Sequence, residues 1–170
     1  AGANRCGELW FDCRFRQTLP ADIGTLGETC ITVTWMQYCG RILAMTGDVS
    51  AADAMEISAY NALLGGMHPD GGAWVHRNPT PLAGPSFKKA ADDQILRNFG
   101  TPFDNHDCCR AQGPEGLAQM AHYALMCRAD GIAVNFYEPF SGIAETPSGN
   151  PVKISAEGDY PFLGDVTLKV

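Results

Sequence analysis

A chain of 170 residues that is 45% hydrophobic and 18% charged has the apolar content of one compact domain and too much of it for a disordered tail. Twelve Lys and Arg against 19 Asp and Glu leave a formal charge of −7, which repels phosphate backbones and anionic headgroups and argues against nucleic acid as a partner. No stretch approaches the roughly 20 consecutive apolar residues of a membrane-spanning helix, so a soluble protein is expected.

The first 27 residues mix aromatics with Arg, Pro and Gly, hold no period for long, and read as an irregular loop. From Glu28 to Thr46 the residues Ile31, Trp35, Cys39, Ile42 and Leu43 recur at helical spacing, and Gly47 is placed to end the helix. Ser50 is the expected cap of a second helix that buries Met55, Ala59, Leu63 and Leu64 and stops at Gly65-Gly66. Residues 67–112 are rich in Pro, Gly, Asp and Asn and read as long loops, packed by Trp74, Phe87, Phe99 and Phe103 and of functional length. Pro114 in a first turn predicts a third helix, with Leu117, Ala121, Ala124 and Leu125 aligned and Gly131 as the stop.

Thereafter the period changes to two. Strands are predicted around Ile132, Val134 and Phe136, around Val152, Ile154 and Ala156, and around Val166, Leu168 and Val170, with SGIAETPSGNP as turn between the first two. The resulting class is α+β, helices first and strands last. The chain begins at Ala1 without a signal-like segment and ends within an alternating pattern, so a processed or partial chain is expected.

Seven cysteines form an odd set without the regular spacing of a disulfide scaffold, which favours reduced thiols, metal ligands or a reactive cysteine, and leans toward a cytoplasmic setting. Glu28-Thr29-Cys30 at a helix start and the distant pair Cys108-Cys109 offer three thiolates and a carboxylate, a donor set that suits tetrahedral Zn²⁺. The plainer alternative is a core cysteine at 30 and a buried pair or vicinal disulfide at 108–109. In His106-Asp107-Cys108-Cys109 a cysteine beside a histidine and a metal would become a nucleophile; alternatively His106 is a surface histidine and the helix from Pro114 lies too far away to matter. Glu8, followed by Leu9, Trp10 and Phe11, is either a carboxyl kept protonated by apolar neighbours, hence a general acid, or a solvated loop residue.

Five elements then occur in a telling order: Gly-Glu-Leu-Trp (7–10), Gly-Glu-Thr-Cys (27–30), Thr-Gly-Asp (46–48), Tyr-Asn-Ala-Leu-Leu-Gly (60–65), and His-Asp-Cys-Cys followed by Gly-Pro-Glu-Gly-Leu-Ala (106–118). Together they resemble glycoside hydrolase family 127, the β-L-arabinofuranosidases and their relatives. The resemblance implies a retaining glycosidase whose nucleophile is a zinc-bound cysteine in place of the usual carboxylate. Carried over residue by residue, Glu28, Cys30, Cys108 and Cys109 look like the Zn²⁺ ligands, Cys108 like the nucleophile, and Glu8 like the general acid/base. Asp12 is the fallback acid, because the segment between Glu8 and Glu28 is longer than in the family pattern. His106 stands where the family has a further cysteine, as a fifth metal ligand, a substrate contact or a residue that orients a ligand, and His76 where it has a sugar-contacting tyrosine, so both are candidate substrate contacts.

The resemblance also implies an architecture: residues 1–131 as the late part of an (α/α)₆ barrel with long active-site loops, and 132–170 as the start of a β-sandwich. A piece of that kind exposes helix faces, so a complementary chain or self-association is expected beside the carbohydrate substrate. The rival function is a non-catalytic remnant, stapled by zinc, that binds carbohydrate or a sister subunit. A redox pair at Cys108-Cys109 is disfavoured, since adjacent cysteines bridge only through a strained ring.

Overall fold

The computed structural model describes residues 27–67, 69–74, 77–78 and 108–170. The predicted first 27 residues, and with them Glu8 and Asp12, lie outside the described residues apart from Gly27, as do His76 and His106. A short strand β1 (Gly27–Glu28) pairs antiparallel with β2 (Arg77–Asn78) and leads directly into helix α1 (Thr29–Thr46). α1 buries Ile31, Cys39 and Leu43 as expected, but its inward face also takes Cys30, Val33 and Met36, while Trp35 and Ile42 are only half-buried. Gly47 ends it at φ +70°, its N–H donating to the Leu43 carbonyl at 2.8 Å.

Helix α2 (Val49–Ser58) is capped by Asp48, whose carboxylate accepts from Ser50 N at 3.0 Å. The cap is thus two residues earlier than the expected Ser50, because Asp48 has the extended backbone an N-cap needs and Ser50 is already helical. The hydrogen bond with Ser50 holds the Asp48 carboxyl below its ordinary pKa. After Ser58 the helix widens into a π-helical turn, Ala59–Leu63.

The third helix, α3 (Cys108–Tyr123), departs most from expectation. It begins six residues before Pro114, which sits inside it, and it ends at Tyr123 instead of running to Gly131. Its buried positions are Cys109, Gly113 and Gly116, whereas Leu117 is 37% exposed. The helix therefore packs through its smallest residues. A Cβ built on Gly116 would meet Leu63 and Val33 at 2.8–2.9 Å, and one on Gly40 of α1 would fall 2.2 Å from the Tyr123 ring. Asn135 closes the end of α3, donating from Nδ2 to the Tyr123 carbonyl at 2.8 Å.

The chain is α+β: besides the small β1–β2 pair at the start of α1, two antiparallel sheets follow the helices. Strands β3 (Leu125–Arg128) and β4 (Gly131–Val134) form one hairpin. Strands β5 (Phe140–Glu145), β6 (Pro151–Gly158) and β7 (Val166–Lys169) form a separate three-stranded sheet in the order β5-β6-β7. Leu125 begins a strand rather than extending the third helix's apolar stripe. Phe140–Glu145 is a strand, not turn: Gly142, opposite Ile154, gives its place to the Leu125 side chain, and Thr146–Asn150 make the actual turn. Ile154 and Ala156 are buried, as the alternation predicts. One core joins the helices to Trp74 and Phe136. Among the described residues no helix is long and apolar enough to cross a membrane.

Two tyrosines pin the helices to the strand region. Tyr60 donates to Glu138 at 2.7 Å and Tyr160 to Glu56 at 2.8 Å, and their rings meet edge to face at 6.4 Å. Burial, followed by the hydrogen bond to Glu138, raises the Tyr60 pKa; the hydrogen bond to Glu56 leads the causes that push Tyr160 up to about 12. The folded chain thus holds these protons more tightly than the unfolded one, whose tyrosines titrate near 10. Their contribution is complete below about pH 10 and is lost as pH rises toward 12. Denaturant unfolding between pH 9 and about 12 is expected to show this decline, less steeply in Tyr60→Phe and Tyr160→Phe; equal slopes in all three would refute it.

Candidate metal centre

Cys30 is the second residue of α1, while Cys108 and Cys109 open α3. Because α1 and α3 pack side by side with their first turns at the same end, residues 78 positions apart in sequence meet: Cys30 Sγ donates to Cys108 Sγ at 3.0 Å and lies 3.3 Å from Cys109 Sγ. All three sulfurs lie within 4.8 Å of one another. Cys30, Cys39, Cys108, Cys109 and Cys127 are thiols, with no disulfide among them. Cys30 and Cys109 are fully buried; Cys108 is half-buried.

The thiol hydrogen bond with Cys109, then burial and the contact with Cys108, raises the Cys30 pKa. Ionising several thiols this close in an apolar core is prohibitive without a cation, since each negative sulfur opposes the next. The donor set fits such a cation. Zn–S bonds of about 2.3 Å in a tetrahedron set sulfurs about 3.8 Å apart, so the two contacts need to open by only about half an ångström to somewhat more. Three cysteines on the first turns of two packed helices, two of them buried and one half-buried, are a soft donor set that could hold a metal ion.

The structure thus brings together three of the four expected ligands. For Glu28 only the backbone is described, in β1 next to Thr29 and paired with Arg77. The concern that Cys108 lies too far from a helix is removed, because α3 starts at Cys108 itself. Trp74, expected from the sequence to pack the loop, is 4% exposed and seated against Gly113, whereas Gln112, one turn along α3 from both cysteines, has no counterpart among the sequence candidates. A glycine between Gln112 and Pro114 is the sequence signal, since glycine inside a helix often marks close approach of a large neighbour.

Residues 8–122 match the family described as beta-L-arabinofuranosidase, GH127 catalytic domain, and the chain belongs to that family. Three solved structures share its fold. One, a GH127 β-arabinofuranosidase, is 21% identical, with a TM-score of 0.67 over 86% of this chain and 21% of that one. Ara127N-Se, a GH127 β-L-arabinofuranosidase from Geobacillus stearothermophilus T6, is 28% identical, with a TM-score of 0.64 over 85% of this chain and 22% of its own. A third, described as a glycoside hydrolase, is 26% identical, with a TM-score of 0.68 over 85% of this chain and 23% of its own. The chain spans about a fifth of the length of these structures. No curated protein matches the sequence.

Proposed function

We propose that the chain carries the metal-binding and nucleophile-bearing part of a retaining glycoside hydrolase that releases a terminal sugar, L-arabinofuranose or a related one. The observation that carries this reading is the meeting of Cys30, Cys108 and Cys109, with Cys108 alone of the three partly open to a ligand. Glu28, Cys30, Cys108 and Cys109 would hold Zn²⁺, which when bound would supply the positive charge that keeps sulfur ionised at neutral pH.

Cys108 Sγ then attacks the anomeric carbon and forms a C–S bond as the glycosidic C–O bond breaks. Glu8 gives its proton to the departing oxygen, then takes one from the water that displaces sulfur, which regenerates both groups. Asp12 is the alternative acid, and His76 and His106 are the proposed sugar contacts. The division at about residue 131 into a helical-barrel region and a β-sandwich region belongs to this reading. So does a complementary chain or second copy that completes the pocket.

Zinc analysis of the reduced chain, with release of p-nitrophenol from an aryl β-L-arabinofuranoside, tests it. One zinc per chain is expected, and Cys108→Ala is expected to lose at least 10³-fold in kcat, within the range for removal of a nucleophile. A metal-free chain, or turnover unchanged in Cys108→Ala, defeats the proposal. The position of the thiols at the α1–α3 junction also supports a second reading, a zinc staple in a carbohydrate-binding chain. Zinc removal that unfolds the chain, with no turnover on a broad glycoside panel, selects that reading.

A further inference from the structure

Among the described residues, two buried side-chain polar atoms have no hydrogen-bond partner: the indole Nε1 of Trp74 and the amide Oε1 of Gln112. Buried polar groups are nearly always paired, so each orphan calls for a reason. The residues that carry them meet the same turn of α3. The Trp74 ring lies so close to the α3 backbone at Gly113 that a Cβ there would fall 2.1 Å from its Cδ2, and Gln112 is the preceding residue.

Gln112 stands at i+4 from Cys108 and i+3 from Cys109, the spacings that place helical side chains side by side. Trp74 belongs to the same core cluster as Cys30 and Cys109. Cys108 and Gln112 are both half-buried, so the thiol cluster meets the surface along this turn of α3.

The chemistry of the pair is specific. An indole N–H only donates and an amide carbonyl oxygen only accepts. A hydroxyl serves both, its oxygen accepting from Trp74 and its proton passing to Gln112. A carboxylate or phosphate leaves Gln112 unserved, and an ammonium leaves Trp74 unserved. We propose that Trp74 and Gln112 form a hydroxyl-recognition subsite beside Cys108, and that the hydroxyl is one on the ring of the sugar being cleaved. The inference rests on the hydrolase reading above and adds to it two residues that select among sugars by the position of a single hydroxyl.

The test is calorimetric titration of the zinc-loaded chain with methyl β-L-arabinofuranoside and each of its monodeoxy derivatives. It uses the wild type, Gln112→Leu and Trp74→Phe, each checked for zinc content and melting temperature. One deoxy derivative is expected to bind the wild type about tenfold more weakly than the parent sugar. The same derivative and the parent should bind each variant equally. If every derivative loses affinity by the same factor in wild type and variants, or if the wild type binds none of the sugars, the orphans serve a water molecule or packing and the subsite is refuted. Turnover separates the two ideas. A chain that shows the selective loss without releasing p-nitrophenol keeps the subsite and loses the hydrolase reading; one that hydrolyses without the selective loss does the reverse.

Discussion

Gly113→Ala is expected to destabilise the chain by about 2 kcal/mol, read as a lower urea midpoint at an unchanged slope. Helix propensity alone predicts the opposite sign, because alanine in a helix interior is favoured over glycine by about 1 kcal/mol. The tertiary environment overrides it. The added methyl would stand 2.1 Å from Cδ2 and 2.5 Å from Cγ and Cε3 of Trp74, too near the rigid centre of the indole for a side-chain twist to relieve. Trp74 is 4% exposed and cannot swing into solvent. Either the ring is displaced or α3 moves away from it, and overpacking of this kind costs about 1–3 kcal/mol or more. Gly65→Ala is the control: nothing lies within 4 Å of its built Cβ, so that variant is expected to be neutral or slightly stabilised. Equal stabilisation of both variants would mean that Trp74 does not rest on α3.

The same packing explains why the first two helices were legible in the sequence and the third was displaced. α1 buries branched and sulfur-containing residues at spacings of three and four, a stripe that periodicity detects. α3 buries Cys109, Gly113 and Gly116, at the same spacings but with nothing large enough to register as apolar, while Leu117 points outward. Pro114 then looked like a helix start because that is where proline is best tolerated, yet packing against α1 and Trp74 holds a helical turn on both sides of it. β5 was hidden for a related reason, since Ser141, Gly142 and Ala144 have little strand character of their own and are held by pairing with β6.

At the site, cysteine chemistry and the order of the motifs were enough to name Cys30, Cys108 and Cys109 as a set, and the structure joins them. The orphaned atoms of Trp74 and Gln112 could not be foreseen. Whether a polar atom is partnered depends on which surfaces a tertiary fold brings together, not on the local sequence.

The second large effect concerns two cysteines on one helix. Cys30→Ala is expected to weaken zinc binding by more than about 100-fold, beyond what loss of a residue that merely orients a ligand costs. Cys39→Ala should bind zinc as the wild type does while losing about 1 kcal/mol of stability to the small cavity it leaves. Both thiols are buried on α1 and both are raised in pKa, but for different reasons: Cys39 by burial, Cys30 first by its thiol contact with Cys109. Burial alone therefore does not distinguish a ligand from a core residue; proximity to the other sulfurs does. Competition against a chromophoric chelator under reducing conditions measures the difference directly. Should the two variants bind zinc equally well, the metal does not lie between α1 and α3, and neither the nucleophile nor the staple would retain a physical basis. Should only Cys30→Ala fail, the outcome of zinc removal decides between them: a catalytic ion leaves the α1–α3 junction folded on its core of Val33, Met36 and Leu63, whereas a staple does not.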